Sequence, residues 1–171
     1  MAMADLNEEI YIRASKLVGL FRSAGLTVGF AESLTGGLIS ASVVNVAGAS
    51  AVFKGSVVSY TNAVKENVLK VPSEIIDSYT EVSDECAVAM AEGAASVLGV
   101  DIAVSVTGIA GPTGELPGKP IGTVYLGYCC PGSNMSGSFR LNFDGDRDTI
   151  RSCTVVAALD QAISLVKDGK G

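Results

Sequence analysis

A chain of 171 residues, 48% of them hydrophobic, is long enough to close one core without disulfide or metal staples and suits a single domain. Its 18 acids against 12 bases leave a formal net charge of −6, which speaks against a nucleic-acid surface, because that chemistry needs a basic patch. The complete absence of histidine excludes a Ser-His-Asp triad, a Cys-His pair and any histidine-ligated metal, and it leaves acid–base work to Lys, Tyr, Asp, Glu or Cys.

The opening residues, MAMADLNEEI, hold acids and neither a basic stretch nor a long apolar run. No signal sequence and no membrane span is expected, and the cytoplasm is the expected compartment. Ile10, Ala14, Val18 and Phe21 then recur at helical spacing from Leu6 to Ala24, with Gly25 as the stop. Leu26 to Phe30 reads as a short buried strand. The stretch AESLTGG follows, with Thr35 as a candidate cap for a helix through Leu38, Ile39, Val43 and Val46. Residues 55–61, GSVVSYT, are β-branched and aromatic and predict a strand. Short helices are expected from Asn62 and from the Val71-Pro72-Ser73 step. Ser83 precedes a longer helix, DECAVAMAEGAASVLG, with two acids in its first turn.

Val100 to Val106 is a strongly apolar strand, followed by the Gly- and Pro-rich loop TGIAGPTGELPGKP. IGTVYLGYCC and GSFRLNF, joined by PGSNMSG, predict a hairpin. GDRD then opens a last helix carrying Ile150, Val155, Leu159, Ile163 and Val166. Strands alternating with helices until a terminal hairpin predict one α/β domain over residues 1–171, a three-layer sandwich with a mixed sheet and helices on both faces. The four cysteines show no C-x-x-C spacing and read as reduced, mostly buried thiols.

Ligands of α/β sheets gather beyond the carboxyl ends of strands. Three polar, glycine-bearing segments are candidates: AESLTGG, the region around GASAVFKGS, and TGIAGPTG. AESLTGG could seat an anion on the free N–H groups of a helix start, or be only a tight turn. TGIAGPTG could wrap a nucleotide or be a surface loop. In the second region Ser50 stands in AGAS, Tyr60 at the end of GSVVSYT, and Lys65 in the next helix. A serine without histidine can use a lysine base if burial or a helix N-terminus keeps that lysine partly neutral. On spacing alone, an exposed helix lysine is the weightier reading of Lys65. Arg147 in FDGDRD could pair with an anionic substrate, beside acids that complement a helix dipole.

Four segments in fixed order carry a resemblance: AESLTGG, AGASAVFKGSVVSYTNAVKENVLKV, SVTGIAGPTG with KPIGTVYLG, and DGDRDTIR. The chain resembles the CinA C-terminal domain family, named for competence/damage-inducible protein A, over nearly its whole length. The resemblance implies hydrolysis of the carboxamide of nicotinamide mononucleotide to the acid and ammonia, with no cofactor and no metal. It implies a serine nucleophile with a lysine and a tyrosine, carried over as Ser50, Lys65 and Tyr60. The expected substrate-binding set is Glu32, Ser33, Thr35, Gly36, Gly37, Thr107, Gly108 and Arg147. The partner is then this small molecule, with no nucleic acid or membrane, and a homo-oligomer is expected.

Three departures from the family pattern stand out. Leu34 occupies a position where relatives often carry cysteine, which excludes a thiol nucleophile there. Gly55-Ser56 replaces two glycines, and a histidine common before the central helix is missing from SYTEVS. The pyrophosphatase activity of larger relatives belongs to a further N-terminal domain and is not expected of these residues. The competing expectations are a pyridine-nucleotide-binding module without turnover, or an amidase for another small amide.

Overall fold

A computed structural model describes residues 3–168. A five-stranded sheet in the order β2-β1-β3-β4-β5 forms the middle layer. Its strands are β1 (Val28–Glu32), β2 (Phe53–Val58), β3 (Ile102–Gly108), β4 (Thr123–Cys130) and β5 (Met135–Asn142). The first three are mutually parallel and the last two antiparallel, so the sheet is mixed, as expected. Helices α1 (Met3–Ala24), α2 (Leu38–Val44) and α6 (Arg147–Asp168) pack on one face; α5 (Asp84–Leu98) covers the other, with α3 (Asn62–Asn67) and α4 (Ser73–Tyr79) beside it.

The central strand explains the layers. All five residues of β1, VGFAE, are buried, because it has a strand on each side and helices over both faces. Edge strand β2 has only partly buried and exposed positions instead. On one face Phe30, Val104 and Leu126 meet Leu17, Phe21, Ile150 and Leu159 in the larger core. By composition α6 is long and apolar enough to cross a membrane, but its apolar positions are spent in this core.

The opposite face is built for close approach. Helix α5 presents Ala87, Ala91, Ala94 and Ala95 to the sheet. A Cβ added at Gly127 of β4 would fall 2.2 Å from the Ala87 carbonyl oxygen. One added at Gly93 would fall 2.0 Å from the Leu69 carbonyl oxygen, so both glycines set interlayer spacing. Ser83 caps α5 as its sequence suggests, its Oγ accepting from the Cys86 N–H at 3.1 Å.

Several strand boundaries differ from the sequence expectation, among them β3, which spans Ile102–Gly108 instead of Val100–Val106 and so takes in Thr107 and Gly108. Strand β1 runs through Ala31 and Glu32, so AESLTGG begins inside the sheet. Strand β2 starts at Phe53 and ends at Val58, which leaves Ser59 and Tyr60 just past its carboxyl end. The hairpin of β4 and β5 is present, pairing Cys130 with Met135.

Candidate active site

The carboxyl ends of the three parallel strands meet at one edge of the sheet, and the polar residues collect there. Ser33 follows β1, its N–H donating to the Val106 carbonyl at 3.0 Å. Ser59 follows β2, its N–H donating to the Glu32 carbonyl at 2.8 Å. These two bonds extend the sheet by one residue on each strand and fix both serines. From α3, Lys65 reaches back under them: Nζ donates to the Ser59 carbonyl at 2.7 Å and to Ser33 Oγ at 3.2 Å.

Lys65 is only 1% exposed. Burial holds its ammonium below the ordinary lysine range, against the opposing pull of a Cys86 thiolate and of the Glu81 charge. Burial also pushes the neighbouring Cys86 thiol up to about 11, so that sulfur stays protonated at neutral pH. Ser59 Oγ is a further buried polar atom, without a hydrogen-bond partner among the described residues.

A cavity of about 260 Å³ opens above Ser33. Its walls come from Ser33 and Leu34, Tyr60, Glu81 and Val82, the loop from Thr107 to Gly111, and Arg147. Thr107 is buried and donates to the Glu81 carbonyl at 2.7 Å, which ties the end of β3 to the turn before α5. Arg147, the first residue of α6, donates to the Gly111 carbonyl at 2.6 Å and to the Tyr60 hydroxyl at 3.4 Å. Ser33, Tyr60, Thr107, Gly108 and Arg147 are thus brought together as expected positions of one site, with Lys65 beneath.

Ser50 is not among them. It sits in a 3-10 turn, Ala49–Ala51, before β2. Because β2 runs parallel to β1, that turn lies at the amino edge of the sheet, on the far side from Lys65. The strand between them is roughly 20 Å long at about 3.3 Å per residue. Ser50 is exposed and lines a separate pocket with Val44, Val46 and Phe53. The expected Ser50–Lys65 pair therefore does not form, and Ser33 stands against the lysine instead. Nor does Tyr60 bridge to Lys65: its hydroxyl faces Arg147.

Glu32, Thr35, Gly36 and Gly37 also differ from expectation, since none lines the cavity. The fully buried Glu32 carboxylate turns toward the start of α2. It accepts from the N–H groups of Gly37, Ile39 and Ser40 at 3.0, 3.1 and 3.0 Å, and from the hydroxyls of Thr35, Ser40 and Ser56. The helix start that could have seated a substrate anion already holds one from its own chain. Gly37 adopts φ 98°, and no side chain of the cap residue is used, so Glu32 takes the role expected of Thr35. Arg151 of α6 clamps the same turn, donating to the Leu34 and Thr35 carbonyls at 3.0 Å each. Among the described residues, no group of three Cys, Asp or Glu side chains is placed to ligate a metal ion.

Residues 12–166 match the CinA C-terminal domain family. The chain belongs to the CinA C-terminal domain family. A CinA-like protein of Dictyoglomus thermophilum is 51% identical over 144 residues, covering 84% of this chain and 34% of that protein. One from Citrifermentans bemidjiense is 50% identical over 145 residues, 85% of this chain and again 34% of the relative. This CinA domain thus spans about a third of the length of the curated relatives it matches. The crystal structure of the competence/damage inducible protein CihA from Agrobacterium tumefaciens superposes with a TM-score of 0.88 at 37% identity, covering 92% of this chain and 95% of that one. A CinA superfamily protein from Klebsiella pneumoniae has the same TM-score at 28% identity, over 93% and 98% of the two chains.

Two participants escaped sequence reasoning. The Ser59 carbonyl acts through its backbone, which no side-chain motif reveals. Glu81 enters the wall only because the turn between α4 and α5 passes the end of β3.

Proposed function

We propose that this domain hydrolyses the carboxamide of nicotinamide mononucleotide to the corresponding acid and ammonia, with Ser33 as nucleophile and Lys65 as base. The observation that carries the reading is the 3.2 Å contact between Ser33 Oγ and a buried lysine nitrogen, at the floor of an open polar cavity. Such a contact is within proton-transfer reach. A lysine disfavoured as an ammonium by burial is a competent base for a hydroxyl. The choice of substrate rests on the resemblance of the motifs to the CinA amidases.

In the first half-reaction Ser33 Oγ bonds to the amide carbon while its proton passes to neutral Lys65. The backbone N–H of Leu34, a cavity-lining residue beside Ser33, has no hydrogen bond among the described residues and is the donor assigned to the tetrahedral oxyanion. Arg151 holds the Leu34 carbonyl and so fixes the turn that carries this N–H. The lysine proton then goes to the departing nitrogen, the C–N bond breaks, and ammonia leaves an ester on Ser33. Water, deprotonated by Lys65, cleaves the ester and releases the acid. Arg147, with Tyr60 beside it at the wall, supplies a cation for the substrate phosphate.

Ammonia release from nicotinamide mononucleotide, its riboside and free nicotinamide tests this reading. The mononucleotide is expected to be preferred over the riboside by at least about tenfold, the scale of one charge-assisted contact. Equal rates on all three, or no ammonia from any, would overturn it.

A further inference from the structure

The cavity wall holds one carboxylate, and the scheme above leaves it idle. Glu81 lines the same cavity as Ser33, opposite in sign to Arg147. Its side chain makes no hydrogen bond or ion pair within the described residues, although its charge is felt at Lys65. A partly buried carboxylate that lines a pocket without a partner from its own chain is free to answer a charge brought in from outside.

The backbone around Glu81 is held with unusual effort. Thr80 adopts φ 71° and ψ 166°, a conformation that is essentially a glycine one and strains a β-branched residue. Lys119 pins that turn, Nζ donating to the Tyr79 carbonyl at 3.0 Å, Thr80 Oγ1 at 3.0 Å and the Val82 carbonyl at 2.6 Å. Thr107 accounts for the Glu81 carbonyl. The carbonyls from Tyr79 to Val82 and the hydroxyls of Thr80 and Ser83 are thus anchored, while the Glu81 carboxylate has no partner among the described residues.

We infer that Glu81 is a specificity-determining residue that recognises the positive charge of the substrate ring. This inference rests on the function proposed above and names the feature of the substrate that the site reads. In a nicotinamide nucleotide the ring nitrogen is quaternary and cationic, and it lies two ring bonds from the carbon that bears the carboxamide. A carboxamide seated on Ser33 therefore carries a cation into the Glu81 side of a small cavity, while its phosphate is left to Arg147. The two charged walls then match a zwitterionic ligand. A carboxylate a few ångströms from the ring in this partly shielded setting supports a preference of at least about tenfold.

The test compares nicotinamide mononucleotide with its 1,4-dihydro form, which keeps the phosphate, ribose and carboxamide but has a neutral ring. kcat/KM for ammonia release is measured on both substrates for the native protein and Glu81→Gln. Glu81→Gln is expected to lose about tenfold on the cationic ring and less than about twofold on the neutral one, so the intrinsic reactivity difference between rings cancels. Equal losses on both rings, or none on either, would overturn the inference. Calorimetric binding of the two nucleotides to both proteins reads the same preference without turnover. Were the native protein to release no ammonia but to bind the cationic form about tenfold tighter, with Glu81→Gln abolishing that margin, the proposed hydrolysis would fail and the charge recognition would stand. Equal affinity for the two rings, or no binding of either, would overturn the recognition itself.

Discussion

Two serine-bearing turns flank opposite ends of the parallel strands of one sheet and differ in everything that matters to chemistry. AESLTGG leaves the carboxyl end of β1; AGAS enters the amino end of β2. Both are rich in small residues and both contain a serine preceding or following glycine. The first places Ser33 under a cavity, 3.2 Å from a buried lysine; the second leaves Ser50 exposed, at the opposite end of β2 from that lysine. Polarity of the strand, rather than composition of the turn, decides which serine meets a base. A parallel strand delivers only the residues that follow it to the functional edge.

The largest effect expected on this comparison comes from Lys65. Lys65→Met is expected to lower ammonia release by roughly 10³–10⁴-fold, the upper range for a positioned base. The native rate should rise with pH through a value below the ordinary lysine range, because only the neutral amine accepts the Ser33 proton. Stability follows the same sign. The unfolded chain holds the Lys65 proton to higher pH than the folded one does, so stability rises with pH between the lowered folded value and the ordinary one. A titration of thermal midpoint against pH checks this, and Lys65→Met should remove that contribution.

Glu32 sharpens the comparison through folding. Glu32→Ala strands the donors of Gly37, Ile39, Ser40, Thr35 and Ser56 in a buried place. The expected cost is at least about 3 kcal/mol, a drop of roughly 6–12 °C in Tm for a domain of this size. Denaturant unfolding measures it. Arg151→Ala is a smaller break, losing the clamp on the Leu34 and Thr35 carbonyls. It should cost about 1–3 kcal/mol and lower kcat more than it raises KM, since the proposed oxyanion donor, the Leu34 N–H, belongs to that turn. The smallest effect belongs to the other turn: Ser50→Ala should stay within about 0.5 kcal/mol of native stability.

Much of the fold was legible because periodicity and capping are local. The alternation of strand and helix, the all-buried strands, the Ser83 cap and the β4–β5 hairpin follow from neighbouring residues alone. The membership of Tyr60, Thr107, Gly108 and Arg147 in one cavity was legible through their motifs. The partner of Lys65 was not, because a segment read as lying before a strand was placed with segments that follow one. Glu32 was misassigned for a related reason. A carboxylate one residue before a turn reads as a pocket wall, but strand alternation turns it into the layer beneath, against the start of α2. Burial of Lys65 depends on how α3 folds back under β1 and β2, and a six-residue helix carries no such signal in its sequence.

The central claim, that Ser33 and not Ser50 meets the base, is tested most directly by ammonia release from nicotinamide mononucleotide with the Ser33→Ala and Ser50→Ala proteins side by side. Ser33→Ala is expected to lose at least about 10³-fold, with Ser50→Ala within about twofold of the native rate. Full activity in Ser33→Ala together with a dead Ser50→Ala would contradict it.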